Sequence, residues 1–250
     1  MTGLPPWLAR HAGAGGMGRL IDHTLLRPEA TEDDVQRLCD EALRLKLGAV
    51  CVNGEWVGKA ARRLAGSNVL VAGVVGFPLG ACGLRVKVDA AAIAVEEGAS
   101  EIDMVISLGH AKAGQWDPVR EEIAAVVAAT RGNLVKVILE TAALAPAEIE
   151  RGCRVAVEGG AGMVKTSTGF HPLGGATVEA VGLMRRTVGT SVGVKASGGI
   201  RTAAAAWKML AAGADRLGSS AAATWGGALH RRLDQDLGRL DENLTGHDLR

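Results

Sequence analysis

Aromatic residues are scarce in this 250-residue chain, which contains no tyrosine, two phenylalanines and five tryptophans. The hydrophobic share is nevertheless 48%, which is ample for a large core. Because aromatic rings cannot fill that core, valine, isoleucine, leucine and alanine must do so. Branched aliphatic residues of this kind dominate the interiors of barrels built from parallel strands.

The chain also has little net charge, with 28 basic and 27 acidic residues and a formal charge of +1. It lacks the basic stripe that binds nucleic acid and the acidic tail typical of disordered interaction segments. We therefore expect no nucleic-acid partner.

Cysteine pairs with the spacing of zinc or redox sites are missing. The four cysteines are far apart in the sequence, which is typical of reduced core residues: Cys39, Cys51, Cys82 and Cys153. The first seven residues lack the charged region and the apolar run of a signal peptide. These features predict a cytoplasmic protein.

Long hydrophobic runs are missing as well. The segment 64–84 carries no charge over the length of a bilayer, but it is interrupted by glycines and by Pro78. Its continuous apolar part, Val69–Val75, suits a buried strand better than a membrane-spanning helix. We therefore expect no membrane partner.

Short apolar runs alternate with amphipathic stretches along the chain. The runs predict eight strands: Leu20–Asp22, Ala49–Asn53, Leu70–Phe77, Glu101–Ser107, Leu134–Glu140, Met163–Thr168, Val192–Ser197 and Arg216–Ser219. The stretches predict a helix that begins at Thr31, with acids in its first turn. They also predict helices over Gly54–Leu64, Leu84–Glu97, Pro118–Thr130, Pro146–Glu158, Ala176–Thr187, Thr202–Ala212 and Ala221–Leu237.

Eight strand–helix units are the number that closes a (β/α)8 barrel. Gly-Ala pairs precede several strands, and glycine there is expected to supply a left-handed helix cap: Gly48, Gly98, Gly160 and Gly213. An open doubly wound sheet is the competing architecture, but it would carry a glycine fingerprint after its first strand. We therefore predict an α/β fold, a single-domain (β/α)8 TIM barrel over residues 1–250. Residues 1–18 and 241–250 are predicted to be terminal appendages.

Two lysines in consecutive strands are the most informative residues of the chain. Lys165 and Lys195 each follow an apolar run and precede small hydroxyl and glycine residues. A buried lysine must be paired or lose its charge, and a second ammonium nearby favours the loss. Because a neutral amine attacks carbonyl groups, the pair predicts a Schiff-base enzyme.

Asp103 is the predicted partner of these lysines, since it lies in an apolar strand on the same face as Glu101. A purely structural Lys–Asp–Lys network is the alternative, although two lysines side by side repel each other. Lys136 is the main rival for the reactive amine. Glu140, on the same predicted face as Lys136, is either an acid–base group or simply neutralised by that lysine.

Polar residues at the ends of the strands are expected to converge on one mouth of the barrel. Asp22, Thr24 and Asn53 are the predicted substrate contacts there. Two glycine-containing turns after strands seven and eight predict a phosphate site, with Gly198 and Gly199 in one and Gly218 and Ser220 in the other.

The six histidines are scattered through the chain. His23, His110 and His171 are expected just beyond strands, but none has the spacing of a metal-ligand pair. We therefore predict loop positions or substrate contacts, and no metal.

Several segments together resemble the deoxyribose-phosphate aldolases. They cover about residues 20–220 and include Ile21-Asp-His-Thr24, Ala49-Val-Cys-Val-Asn53, Glu101-Ile-Asp-Met-Val-Ile106, Val164-Lys-Thr-Ser-Thr-Gly-Phe170 and Val194-Lys-Ala-Ser-Gly-Gly-Ile-Arg-Thr202. The resemblance implies reversible cleavage of 2-deoxy-D-ribose 5-phosphate to D-glyceraldehyde 3-phosphate and acetaldehyde, without cofactor or metal. It also implies a homo-oligomer, either a dimer or a tetramer.

The resemblance also implies roles for individual residues. Lys165 would form the Schiff base, Lys195 would lower its pKa, and Asp103 would join Lys195 in proton transfer. The phosphate would be bound by the two glycine turns, with Thr168 and Gly169 nearby. This chain lacks the C-terminal tyrosine that some members carry, so another group or water must protonate the enamine.

Two alternatives to this function remain. One is another Schiff-base barrel aldolase that acts on a different sugar phosphate. The other is a non-catalytic barrel that binds phosphorylated ligands, but such a protein has no need of two repelling amines.

Overall fold

Eight parallel strands close into a barrel in the order of the sequence, β1 to β8. The computed structural model describes residues 17–226. The strands are β1 Ile21–Leu25, β2 Ala49–Val52, β3 Leu70–Val75, β4 Glu101–Val105, β5 Leu134–Ile138, β6 Met163–Lys165, β7 Gly193–Ser197 and β8 Arg216–Ser219. The first strand pairs with the last, and the predicted (β/α)8 TIM barrel is therefore confirmed.

Helices connect the strands and cover the outside of the barrel. They are α1 Glu32–Arg44, α2 Val57–Arg63, α3 Leu84–Glu96, α4 Leu108–Lys112, α5 Trp116–Ala129, α6 Pro146–Glu158, α7 Val178–Val188 and α8 Ala203–Ala211. Short 3₁₀ helices lie at Met17–Leu20, Gly54–Trp56 and Thr141–Ala143. The predicted helix Ala221–Leu237 is helical over 222–226, and the rest of it lies outside the described residues.

Strand β1 is longer than predicted. The prediction ended it at Asp22, because the polar residues that follow look like the start of a loop. His23 and Thr24 instead pair with Val50 and Cys51 of β2, and the strand continues to Leu25. Polarity is a poor guide here, since His23 finds a polar partner in Glu41 of α1 while it remains in the strand.

Helix α1 begins as the sequence predicts. The Thr31 hydroxyl accepts from the Asp34 N–H, and the Asp34 carboxylate accepts from the Thr31 N–H at 2.9 Å. This reciprocal pair satisfies two amides that have no partner within the helix. The short helix α4 was not predicted, because five residues are too few for an apolar repeat to be read.

The predicted left-handed glycines are confirmed at three of the four Gly-Ala pairs, namely Gly98, Gly160 and Gly213. Gly48 is the exception, since the left-handed residue of that connection is Lys46 with φ 52°. Gly48 is required for a different reason. A Cβ there would lie 2.2 Å from the carbonyl oxygen of Arg19, so only glycine lets these two backbones approach.

Alternation along the strands separates two environments. Val50, Ile102 and Val164 are fully buried in the apolar layer between sheet and helices, with many other aliphatic side chains. The charged residues at alternate positions, including Asp103 and Lys195, point into the barrel and are also fully buried. The barrel therefore combines an aliphatic outer core with an ionic interior.

Part of the predicted appendages lies outside the described residues, namely residues 1–16 and 241–250. Met17 and Gly18, which the prediction placed in the N-terminal appendage, belong to the first 3₁₀ helix. The Gly18 carbonyl accepts from the Gly48 N–H at 2.9 Å and so closes the start of β2. Within residues 17–226, no helix has the length and hydrophobicity needed to cross a membrane.

Replacing Gly48 with alanine tests the close approach of the two backbones. We expect Gly48→Ala to lower the free energy of unfolding by about 2–3 kcal/mol, because backbone must move to admit the methyl group. The measurement is equilibrium unfolding in urea. Gly109→Ala in α4 is the control, since a Cβ there meets nothing within 4 Å, and it should be neutral or stabilising by up to ~1 kcal/mol. Equal stability of the two variants would contradict this explanation.

Candidate active site

The carboxylate of Asp103 is the centre of the barrel interior. Its Oδ2 atom accepts from Lys165 Nζ at 2.7 Å and from Lys195 Nζ at 2.7 Å. Its Oδ1 atom accepts from Lys136 Nζ, also at 2.7 Å. Lys165 and Lys195 are register partners on β6 and β7, so the predicted pair of neighbouring lysines with an acid between them is confirmed.

Two further carboxylates compensate two of these lysines. Lys195 also donates to Asp22, and Lys136 lies 2.6 Å from Glu101 and 3.6 Å from Asp22. Arg216 bridges the same two acids, at 2.7 Å from Asp22 and 3.1 Å from Glu101. Lys165 has no carboxylate other than Asp103 within ion-pair distance in the described part of the chain.

This cluster contains one more cation than anion. Its cations are three lysines and one arginine, and its anions are Asp22, Glu101 and Asp103. An uncompensated charge in a buried site is costly, so the loss of one proton from an amine makes the cluster neutral. Lys165 shares its single carboxylate oxygen with Lys195 and is therefore the amine that gives up its proton most readily.

The pKa directions of the three amines follow this geometry. Burial, and then repulsion from Lys195, lower the pKa of Lys165 even though Asp103 attracts its charged form. Burial also acts to lower the pKa of Lys195, but attraction by Asp103 and Asp22 outweighs it and raises that pKa. The pKa of Lys136 is raised for the same reason, since Asp103 attracts its charged form against the effect of burial. The balance of burial and attraction thus separates Lys165 from its neighbours.

A cavity of about 490 Å³ opens at the carboxyl ends of the strands. It is bordered by β1, β6, β7 and β8 and by the first half of α1: His23, Thr24, Leu25, Leu26, Arg27, Asp34, Arg37, Leu38, Glu41, Lys165, Thr168, Gly169, Phe170, Ser197, Gly198, Gly199, Ile200, Arg201, Gly218, Ser219 and Ser220. Lys165 is the single lysine that lines this cavity among the described residues. Lys136 and Lys195 are fully buried beneath it.

The residues predicted to bind phosphate all line this cavity. Gly198 and Gly199 adopt φ values of 87° and 81°, which only glycine accepts readily. A Cβ at Gly198 would lie 2.9 Å from the Cα of Gly175, because the loop after β6 packs on this turn. Helix α8 begins only at Ala203, so the two glycines lie before the helix start and not at it.

The three predicted substrate contacts have different positions. Thr24 lines the cavity. Asp22 lies beneath it, fully buried between Lys195 and Arg216. The Asn53 amide donates to the Leu26 carbonyl at 3.2 Å, and Asn53 does not border the cavity.

Glu140 is not neutralised by Lys136, which was one of the two alternatives left open for it. Lys136 is engaged by the acids of the central cluster, whereas Glu140 accepts hydrogen bonds from the backbone N–H and the hydroxyl of Thr168. The reason is local, since Glu140 has φ 58° and therefore leaves the alternation of β5.

The three histidines near the mouth lie in separate environments. His23 belongs to β1, and its Nε2 atom is 2.6 Å from the Glu41 carboxylate. His110 contacts Gln115 at 2.7 Å, and His171 accepts from the Leu173 N–H at 3.3 Å. Residues 17–226 contain no group of three or more His, Cys, Asp or Glu residues that could hold a metal ion.

Sequence reasoning missed the part that Arg216 plays in the cluster. Arg216 is the first residue of β8 and pairs in register with Lys195, so it presents a cation beside Asp22. The same reasoning placed Glu101 on the face of Asp103 but assigned it no role. The available signal was strand alternation, which turns the first residue of β4 and of β8 inward.

Cys51 is the remaining polar neighbour of the cluster. Its thiol lies 3.9 Å from Asp103 Oδ2, and burial raises the pKa of this thiol. The thiol therefore stays neutral and does not change the charge balance.

Comparison with known proteins identifies the family of this chain. A family model described as DeoC/LacD family aldolase matches residues 18–230. Curated deoxyribose-phosphate aldolases from Brevibacillus brevis and Enterococcus faecalis are 50% and 51% identical, each over 82% of this chain and over 92% and 93% of their own lengths. The tetrameric deoxyribose phosphate aldolase of Aeropyrum pernix superposes with a TM-score of 0.77 at 34% identity, over 82% of this chain and 87% of that chain. The chain belongs to the DeoC/LacD family of aldolases.

Proposed function

We propose that this chain is a deoxyribose-phosphate aldolase, a carbon–carbon lyase that works through a Schiff base on Lys165. It cleaves 2-deoxy-D-ribose 5-phosphate reversibly to D-glyceraldehyde 3-phosphate and acetaldehyde. The observation that carries the proposal is that Lys165 alone, among the amines of the buried cluster, lines the cavity. The names of the curated relatives favour this substrate over another sugar phosphate.

The first step is attack of the Lys165 amine on the C1 carbonyl of the substrate. Loss of water then gives a protonated imine, which withdraws electrons from the neighbouring carbon. Only the unprotonated amine can attack, so the lowered pKa of Lys165 increases the reactive fraction at neutral pH.

The second step breaks the bond between C2 and C3. A base removes the proton of the C3 hydroxyl, the substrate C3 becomes the aldehyde carbon of glyceraldehyde 3-phosphate, and the electrons of the C2–C3 bond move into the imine to give a neutral enamine. Protonation of C2 and addition of water then release acetaldehyde and the free amine. Lys165 and Lys195 each donate to Asp103 at 2.7 Å, so Asp103 connects the two amines and provides the proton relay of these steps together with Lys195.

The phosphate is bound at the far end of the cavity. Gly198 and Gly199 on one turn and Gly218 and Ser220 on the next present backbone N–H groups and a hydroxyl, with Gly169 beside them. The small residues leave room for the phosphate oxygens to approach the backbone. Thr24 borders the substrate chain, while Asp22 acts indirectly by holding Lys195.

We also propose a cytoplasmic homo-oligomer that needs no cofactor. The four cysteines in the described residues are unpaired, as in a reducing compartment. The tetrameric relative from Aeropyrum pernix supports assembly of copies of this chain. The ligands of this chain are then the sugar phosphate and the aldehydes alone.

Borohydride trapping with acetaldehyde tests the nucleophile. We expect a stable N-ethyl group on Lys165, located by peptide mass mapping, because reduction fixes the imine where it forms. Lys165→Arg should abolish the adduct and lower the rate of deoxyribose 5-phosphate cleavage by about a thousandfold or more.

The matched control for that experiment is Lys59→Arg, which changes a partly exposed lysine in α2, outside the cavity. It should keep both the adduct and the activity. An adduct on Lys136 or Lys195, or no adduct on the native enzyme, would contradict the assignment.

A negative charge at Ser220 tests the phosphate site. We expect Ser220→Asp to raise the KM for deoxyribose 5-phosphate by about ten- to a hundredfold, since like charges then meet at short range. Trapping of acetaldehyde, which carries no phosphate, should be unaffected. Ser191→Asp is the control. It adds the same charge at an exposed position just before the amino end of β7, the end opposite the cavity, and should leave KM unchanged. A KM unaffected by Ser220→Asp would place the phosphate elsewhere.

A further inference from the structure

Glu140 is the extra residue of a bulge between β5 and β6. The Leu139 N–H donates to the Lys165 carbonyl at 3.0 Å, and the Thr141 N–H donates to the Thr166 carbonyl at 2.8 Å. From the first bond to the second, the donor advances by two residues, from Leu139 to Thr141, while the acceptor advances by only one, from Lys165 to Thr166. Bulges of this kind turn a side chain away from its regular direction and are common beside active sites.

The backbone of Glu140 is strained. It adopts φ 58° and ψ 60°, a region that disfavours residues with a Cβ. The other two non-glycine residues with positive φ in the described chain, Lys46 and Arg131, are exposed and follow the ends of α1 and α5. Glu140 is instead 1% exposed and lies at the mouth of the barrel. Strain at such a position persists only where the surroundings hold it.

The carboxylate of Glu140 is directed at one residue. It accepts from the Thr168 N–H at 3.2 Å and from the Thr168 hydroxyl. No cation lies within ion-pair distance of it in residues 17–226. A buried carboxylate needs hydrogen bonds, and Thr168 supplies those found here.

The contacts of Thr168 determine what it can offer a substrate. Its one hydroxyl proton is donated to Glu140, and its oxygen accepts from the Phe170 N–H at 3.1 Å. Its backbone N–H is also engaged by Glu140. A threonine hydroxyl has one donor and two acceptor positions, so Thr168 presents only a lone pair to the cavity. A phosphate dianion accepts hydrogen bonds and gains nothing from that lone pair, whereas a substrate hydroxyl can donate to it.

We propose that Glu140 is a positioning residue that fixes the Thr168 oxygen as a hydrogen-bond acceptor for a hydroxyl of the substrate. The proposal rests on the aldolase function proposed above. Thr168 lies three residues after Lys165, and the adjacent Gly169 packs on Gly198 of the phosphate turn. Thr168 therefore lies between the reacting amine and the phosphate turn. The substrate hydroxyl that lies between the cleaved bond and the phosphate fits this position, and D-glyceraldehyde 3-phosphate keeps that hydroxyl after cleavage.

The test compares two acceptors in the addition of acetaldehyde: D-glyceraldehyde 3-phosphate, which has this hydroxyl, and 3-oxopropyl phosphate, which lacks it. Glu140→Ala, which removes the acceptor of both Thr168 bonds, and Thr168→Val should each lower kcat/KM for the first acceptor by about tenfold, as expected for a lost buried hydrogen bond. Both should leave kcat/KM for the second within about twofold. The double variant should lose no more than Thr168→Val alone, because Glu140 acts through Thr168.

Thr130→Val is the matched control. It removes another buried threonine hydroxyl, which donates to the Val127 and Asn133 carbonyls after α5. It should not change the preference between acceptors. If Glu140→Ala does not fold, Glu140→Gly takes its place, because glycine accepts the positive φ of this position and likewise lacks the carboxylate.

The possible results separate a failure of this inference from a failure of the proposed function. Equal losses for both acceptors, or additive losses in the double variant, would overturn the role of Glu140 while the native enzyme remained an aldolase. A native enzyme that adds acetaldehyde to neither acceptor would overturn the proposed function and this inference with it. Selective, non-additive loss for D-glyceraldehyde 3-phosphate supports the inference.

Discussion

One buried carboxylate shared by three lysines is the constraint on which the rest of this site depends. Asp103 contacts Lys136, Lys165 and Lys195 at 2.7 Å each, at the buried centre of the barrel. The other acids of the cluster compensate Lys136 and Lys195 but not Lys165. The charge imbalance therefore falls on the one amine that lines the cavity, and its pKa is lowered there. The reactivity of Lys165 thus depends on the lack of a second carboxylate beside it as much as on the carboxylates that compensate Lys136 and Lys195.

The fold supplies this arrangement through strand alternation. Outward side chains of the strands form an aliphatic layer with the helices, and this layer keeps water from the ionic interior. The inward positions of β1, β4, β5, β6, β7 and β8 then bring charges together from across the barrel. Loops after β6, β7 and β8 add the small residues at which phosphate is proposed to bind. Rigid strands thus hold the reacting amine, and turns hold the part of the substrate that does not react.

The sequence predicted the parts of the site that follow from a period of two residues. Lys165, Lys195 and Asp103 were recognised because a charge in an apolar strand requires a partner. The role of Arg216 was missed, although strand alternation turns the first residue of β8 inward and the predicted barrel closure brings β8 beside β1. Whether Lys136 neutralises Glu140 was left open, since a bulge cannot be read from residue types alone. Strand β1 was cut short because its polar residues His23 and Thr24 resemble the start of a loop.

The most direct test is titration of the lysine amines themselves, by ¹⁵N NMR of the Nζ atoms in the native enzyme, with Lys165→Arg to assign the signal. Lys165 should lose its proton below the usual lysine pKa of about 10.4, while Lys136 and Lys195 should stay protonated beyond it. In Lys195→Met the titration of Lys165 should move to higher pH, because the repelling charge is gone and Asp103 attracts Lys165 more strongly. A Lys165 amine that titrates like an exposed lysine, or after Lys195, would contradict the account.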